Sequence, residues 1–299
     1  MATSLPVVLA FGAMILWSIG DFLIQRTSKK LGSLETLIFL NLISAVILFP
    51  FIVKGLSKLN WQNITPLFIL SILEFAFGLT LLKAYEKGKL SVVVAIMTIE
   101  LPLTVTWGIL FFKERLSIVQ IVLIIIIFAG VFFIAREKLN VWQKILTFFS
   151  GRSRLEKGAL IALAAAFFSS FFNLFIAINV KEVSPFMTLW LPWTLSLVWL
   201  FIFFFIKNGP AKSILMLKNH AREYKYLIVY GAVIDTFAWL CYAGAVAQKE
   251  LSITTAITES YPALAMFLGI KFNKEKISGL QYIGALLALG GSVVIALIS

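Results

Sequence analysis

The stretch from Glu74 to Ala135 is written a second time from Asp235 to Ala296. The first copy reads L-S-V-V-V-A-I-M-T-I-E-L-P from Leu90 and K-E-R-L-S from Lys113. The second reads L-S-I-T-T-A-I-T-E-S-Y-P from Leu251 and K-E-K-I-S from Lys274. Lys113, Glu114 and Ser117 meet Lys274, Glu275 and Ser278 at one offset of 161 residues, which also joins Leu90 to Leu251, Gly130 to Gly291 and Glu74 to Asp235. A repeat of this length makes the chain two copies of one unit. It divides into a first repeat at 1–136, a linker at 137–156 and a second repeat at 157–299.

Each unit is too apolar to fold in water. Hydrophobic residues make up 61% of the chain and charged residues 13%, about half the charged share of a soluble domain. Apolar runs long enough for about 30 Å of hydrocarbon lie near 5–26, 34–53, 64–86, 90–112, 117–135, 157–179, 185–207, 225–247, 251–271 and 278–298. The expectation is an all-α integral membrane protein with ten transmembrane helices, five per repeat. The first run has no Lys or Arg before it and does not read as a cleaved signal peptide. The sizeable polar connections are 136–156 and 208–224.

Five is odd, so the second copy enters from the opposite face and the repeats are expected to be inverted. That architecture serves secondary transporters, whose site lies near the midplane between the halves. The net charge of +12 does not signal nucleic acid, because the basic residues sit between apolar runs. Loops after helices 1, 3, 5, 7 and 9 hold 19 Lys and Arg, and those after helices 2, 4, 6 and 8 hold 6. The positive-inside rule then places the first set in the cytoplasm and both termini outside.

Several chemistries are excluded. One cysteine, Cys241, and one histidine, His220, leave no disulfide, Cys-based metal motif or His cluster. No glycine-rich phosphate loop is present. Neither a metal-ligand set nor a nucleophile–base spacing is visible, so an enzyme, a metal and a cofactor are not expected.

The segments P-L-T-V-T-W-G-I-L-F-F-K-E-R-L-S from Pro102 and P-A-L-A-M-F-L-G-I-K-F-N-K-E-K-I-S from Pro262 resemble the EamA repeat. There a proline-containing helix precedes a Glu-containing turn and a last helix with a glycine near its end, which Gly130 and Gly291 match. L-W-S-I-G-D at Leu16–Asp21 is similar to the opening L-W-G of that family, with Ser18 in place of the glycine. The arginine common early in helix 2 has no counterpart, and Asn41 stands nearby. The fifth run, Ile121–Ile127, lacks the small residues its copy has at Gly284 and Ala288. The resemblance implies the drug/metabolite transporter superfamily: ten helices, secondary transport without ATP, often metabolite export, and cytoplasmic termini, opposite to the charge count.

Carboxylates inside hydrocarbon are expensive and mark function by default. The candidates for substrate binding are Asp21, Glu74, Glu100, Asp235 and Glu259, with Asn173 as the mate of Asp21. Glu74 and Asp235 are repeat mates, and Glu100 and Glu259 near mates, each shortly before a proline. Trp17 and Asp21 share a helical face at i, i+4, as do Asp235 and Trp239, while Glu100, Thr104 and Trp107 follow at i, i+4, i+7. Tyr261 completes the candidate set. Carboxylate beside indole suits an organic cation, with cation–π attraction of about 0.5–2 kcal/mol. Glu100 and Glu259 are also the candidate proton carriers, and Pro102 and Pro262 the candidate hinges, since each removes a backbone donor.

Each residue also has a plainer reading. Glu74 and Asp235 can hydrogen-bond a neighbouring helix, Asp21 can sit at the interface, and Lys83 can snorkel. Trp190, Trp193 and Trp199 suit a lipid-facing belt. Glu114 and Glu275 read as structural, and Gly279, Gly284, Ala288 and Gly291 as helix packing. The expected function is secondary-active transport of a small amine, organic cation or amino acid in the plasma or inner membrane, proton-coupled. A neutral sugar- or nucleobase-like solute, or a non-transporting scaffold, is the alternative. The expected partners are a small-molecule substrate and membrane lipid. A monomer suffices, and a dimer stays open.

Overall fold

The computed structural model describes residues 5–88, 90–136, 157–273 and 278–299. The linker 137–156 and the turn containing Lys274 and Glu275 lie outside the described residues. Among those described, all regular structure is helical. The elements are α1 (Leu5–Leu31), α2 (Ser33–Ile52), a 3-10 turn (Val53–Lys58), α3 (Trp61–Lys87), α4 (Leu90–Met97), α5 (Glu100–Phe112) and α6 (Ile118–Arg136). The second half follows with α7 (Lys157–Glu182), α8 (Pro185–Asn208), α9 (Pro210–Glu223), α10 (Lys225–Val246), α11 (Leu251–Thr258), α12 (Tyr261–Asn273) and α13 (Gly279–Ile298).

Local chemistry sets several starts. Asn60 and Asn63 exchange side-chain and backbone hydrogen bonds before α3. Ser184 accepts from the Met187 N–H, with Pro185 filling the first helical position of α8. Ser117 with Gln120, and Ser278 with Gln281, form matching capping boxes before α6 and α13. Both pairs obey the 161-residue offset.

Among the described residues, seven helices are long and apolar enough to cross a bilayer by length and composition: α1, α2, α3, α7, α8, α10 and α13. The apolar segments Glu100–Phe112 and Ile118–Ile134 are shorter. The runs at 90–112 and 251–271, expected as single helices, are each broken in two. α4 and α11 have eight residues each, about 12 Å. The connection 208–224, expected as a polar loop, contains the amphipathic α9 instead, with Ile214 and Leu215 exposed on one side.

Packing respects the repeat. α1 packs on α10 and α3 on α7, which are the same pairing with the halves exchanged. α2 meets α8, and α6 meets α13. At the last crossing a Cβ on Gly130 would stand 2.6 Å from Ala288 N and 2.7 Å from Gly284 O. A Cβ on Gly291, the mate of Gly130, would stand 2.7 Å from Ile127 Cγ1, and Ile127 is the mate of Ala288. One twofold operation therefore relates both contacts. Gly284, Ala288 and Gly291 are packing residues, whereas Gly279 has nothing within 4 Å of where a Cβ would stand.

The outer surface is apolar, with Val46 68%, Ile118 81% and Leu297 70% exposed, as lipid-facing helices require. Lys83 is exposed, in agreement with snorkelling. Because backbone atoms at the α6–α13 crossing cannot turn aside, Gly130→Val is expected to destabilise the protein by about 1–3 kcal/mol. Gly290→Ala, with nothing within 4 Å of the new atom and a mid-helix position, is expected to leave stability intact or raise it by up to about 1 kcal/mol. Melting temperature in detergent checks both.

Candidate functional site

The two broken helices meet at the centre of the molecule. The first break is the turn at Thr98–Ile99, closed by the Ile99 N–H donating to Ile96 O at 3.1 Å and the Leu101 N–H to Thr98 O at 3.2 Å. The second is the turn at Glu259–Ser260, where the Ser260 N–H donates to Ile257 O at 3.2 Å. Pro102 and Pro262 lie within the first turn of the following segments, where a helix has no use for their missing N–H groups. They start new helices; they do not kink continuous ones. The element starts obey the offset of 161: α5 begins at Glu100 and α12 at Tyr261, so Glu100 stands opposite Tyr261, and Glu259 opposite Thr98, and the two glutamates are not each other's mates.

These breaks open onto a cavity with about 810 Å³ of space between atoms, open solvent at its mouth included. All five candidate carboxylates line it: Asp21, Glu74, Glu100, Asp235 and Glu259. No Lys or Arg does. Asp21, expected to favour the interface on the plainer reading, is the seventeenth residue of a 27-residue helix and faces the centre. Its carboxylate is within hydrogen-bonding reach of the Tyr85 and Tyr261 hydroxyls.

Glu74 sits on α3 and accepts a hydrogen bond from Asn41 Nδ2 at 2.9 Å; the same amide donates to Ser196 Oγ at 2.7 Å. The other oxygen, Oε2, has no hydrogen-bond partner although Glu74 is only 3% exposed. Asp235 on α10 is within reach of the Trp239 indole N–H one turn later. Glu100 accepts from Asn173 Nδ2, whose own Oδ1 is unpartnered. Asn173–Glu100 and Asp21–Tyr261 are the same contact in the two halves, with the acid on opposite sides of it.

A cluster of aromatic rings lines the cavity beside these acids. Trp17 meets Trp239 edge-on at 4.9 Å between ring centroids, and Trp239 meets Phe172 at 5.2 Å and Phe77 at 6.1 Å. The i, i+4 pairs Trp17/Asp21 and Asp235/Trp239 thus reach the cavity together. Trp107 does not reach it. It lies seven residues beyond Glu100, about 10 Å along the helix, where α5 packs on α7; its indole N–H donates to Ser170 Oγ at 3.1 Å and its ring meets Phe171 at 4.7 Å. Asn173 stands behind Glu100 and not in the wall.

Other wall residues are Asn41, Tyr85, Ser169 and Trp193. Asn41 had a signal as the residue near the absent arginine. Trp193, expected in a lipid-facing belt, is 4% exposed and lines the cavity. Trp190 donates its N–H to Ala45 O at 2.9 Å across α2 and α8, and Trp199 stays 38% exposed.

Glu114 has a structural task. Its carboxylate accepts from the Leu251 N–H at 2.7 Å, the Ser252 N–H at 3.1 Å and the Ser252 hydroxyl. It caps the free N–H groups opening α11, the helix that ends at Glu259. Gly108 leaves room for it: a Cβ there would meet Ser252 Oγ at 2.4 Å and Glu114 Oε2 at 2.5 Å. The mate Glu275 lies outside the described residues.

The sequence matches the EamA-like transporter family over residues 4–136 and again over 156–297. No curated protein matches it. A solved crystal structure of another protein shares the fold, with a TM-score of 0.69 over 100% of both chains at 15% identity.

Removing the Glu114 carboxylate leaves two backbone donors of α11 without their partner. Glu114→Ala is expected to destabilise the protein by about 1–3 kcal/mol, read as a lower melting temperature. An unchanged melting temperature would show that the cap contributes nothing.

Proposed function

The chain belongs to the EamA-like transporter family, and from that premise we propose that it moves a small amine, organic cation or amino acid by proton-coupled alternating access. One observation carries the choice of substrate. Asp21, Glu74, Glu100, Asp235 and Glu259 share one cavity with Trp17 and Trp239 and, among the described residues, with no Lys or Arg. Carboxyl groups gathered without a Lys or Arg take either protons or an opposite charge from outside, and indole faces attract an organic cation by about 0.5–2 kcal/mol. The same carboxylates are the cavity's natural proton carriers, since His220 is not among the wall residues.

The proposed architecture is ten membrane crossings in two inverted five-helix units. The exchanged pairings of α1 with α10 and α3 with α7 support it. In it, α4 with α5, and α11 with α12, each make one crossing from two segments. The turns at 98–99 and 259–260 are then hinges at which the segments change angle, with Pro102 and Pro262 holding the starts of the moving parts. All five acids come from one chain, so a monomer is sufficient. The proposed location is the plasma or inner membrane, with lipid around the exposed apolar faces.

Proteoliposomes containing only this protein test the reading. A pH gradient is expected to drive accumulation of a labelled amine or amino acid, and Glu100→Gln or Glu259→Gln to abolish the gradient dependence. Flux of a neutral solute that ignores the gradient and both substitutions would overturn it. Pro102→Ala and Pro262→Ala are expected to lower turnover more than they weaken equilibrium binding. An equal loss of both would refute the hinges.

A further inference from the structure

We infer that the cavity is built for an extended dication, an α,ω-diamine or polyamine; the inference rests on the cation-transport reading above and narrows its substrate class. The reason is how the acids are spread. Helix α3 borders the cavity from Glu74 through Phe77, Gly78, Leu81 and Leu82 to Tyr85. Those eleven steps correspond to about 16 Å along the helix axis. At one end stands Glu74, held by Asn41, with Oε2 unpartnered although the residue is only 3% exposed and lines the wall. At the other end Tyr85 reaches Asp21, and Glu259 lies within electrostatic reach of both Asp21 and Glu100.

Between the ends the wall is largely aromatic. Phe77, Phe172, Trp17 and Trp239 form one contiguous cluster. Asp235, within electrostatic reach of both Asp21 and Glu74, offers an intermediate anionic position. Among the described residues no three carboxylates converge closely enough to hold a metal ion. A compact cation is equally mismatched. It can pair with one end only, and the acid at the other end then keeps its proton. An alkyl chain with an ammonium at each end pairs both and buries its methylenes against the rings. A chain with a third nitrogen near its middle also meets Asp235.

Equilibrium binding to the purified protein, read by tryptophan fluorescence, tests this. The probes are a series of α,ω-diamines of increasing length, each compared with the monoamine of the same length. The expected result is at least tenfold tighter binding of the diamine, with an optimum length. Glu74→Gln at one end and Asp21→Asn at the other are each expected to collapse the diamine-to-monoamine ratio towards one. Size-exclusion profile and melting temperature identify any variant that fails to fold, and either variant alone then decides. Equal binding of mono- and diamines, or a ratio that survives the substitutions, overturns the dication inference and leaves cation transport standing. Binding of neither, with a neutral solute bound instead, overturns both.

Discussion

Backbone outside a helix cannot stand in hydrocarbon unless protein surrounds it, and this chain breaks two apolar runs at its centre. The second break is held by neighbours at named atoms. Ser260 Oγ lies 3.2 Å from Ala288 O and Ser18 Oγ 3.0 Å from Tyr261 O, tying the second break to α13 and α1. Glu114 caps the segment that leads into it. Thr98, Glu100, Glu259 and Ser260 are all buried. What the breaks provide is a set of polar side chains and helix ends at the middle of an apolar molecule, from elements that single straight helices would carry past one another.

The scaffold is symmetric and the site is not. The crossing of α6 with α13 obeys the twofold at Gly130–Ala288 and Ile127–Gly291. In the cavity the same operation pairs Glu74 with Asp235 but sets Asp21 against Asn173, Glu100 against Tyr261 and Glu259 against Thr98. Three of the four positions thus hold an acid in one half and a neutral hydrogen-bonding group in the other. In the proposed alternating-access cycle, inverted halves would present equivalent scaffolds to the two sides of the membrane, while the acids would keep one arrangement about the substrate.

Much of this was legible in the sequence. The offset of 161 exposes the two units, and intramembrane acids are so costly that Asp21, Glu74, Glu100, Asp235 and Glu259 stand out unaided. Helical spacing brought Trp17 and Trp239 to the acids because each lies one turn away; the same argument failed for Trp107, where two turns overshoot the cavity. The breaks were hidden because an eight-residue α4 and a thirteen-residue α5 have the same hydropathy as one continuous span. The offset of 161 itself sets Tyr261 against Glu100, a pairing masked by the resemblance of Glu100 to Glu259, each shortly before a proline. Trp193 was misplaced because a tryptophan on an apolar helix is equally at home facing lipid or core, and only the packing of α8 decides. α9 was concealed by polar composition, its few apolar positions being too sparse for a span.

The central claim is that the acidic cavity is reached from both sides of the membrane in turn. Its most direct measurement is the reactivity of a cysteine placed in the cavity wall, Ser169→Cys with Cys241→Ser, towards a membrane-impermeant maleimide in sealed vesicles. The account predicts labelling from either face, shifting between faces with the direction of the pH gradient and blocked by bound substrate. Labelling from one face alone under every condition would make the cavity a closed-ended binding site and contradict it.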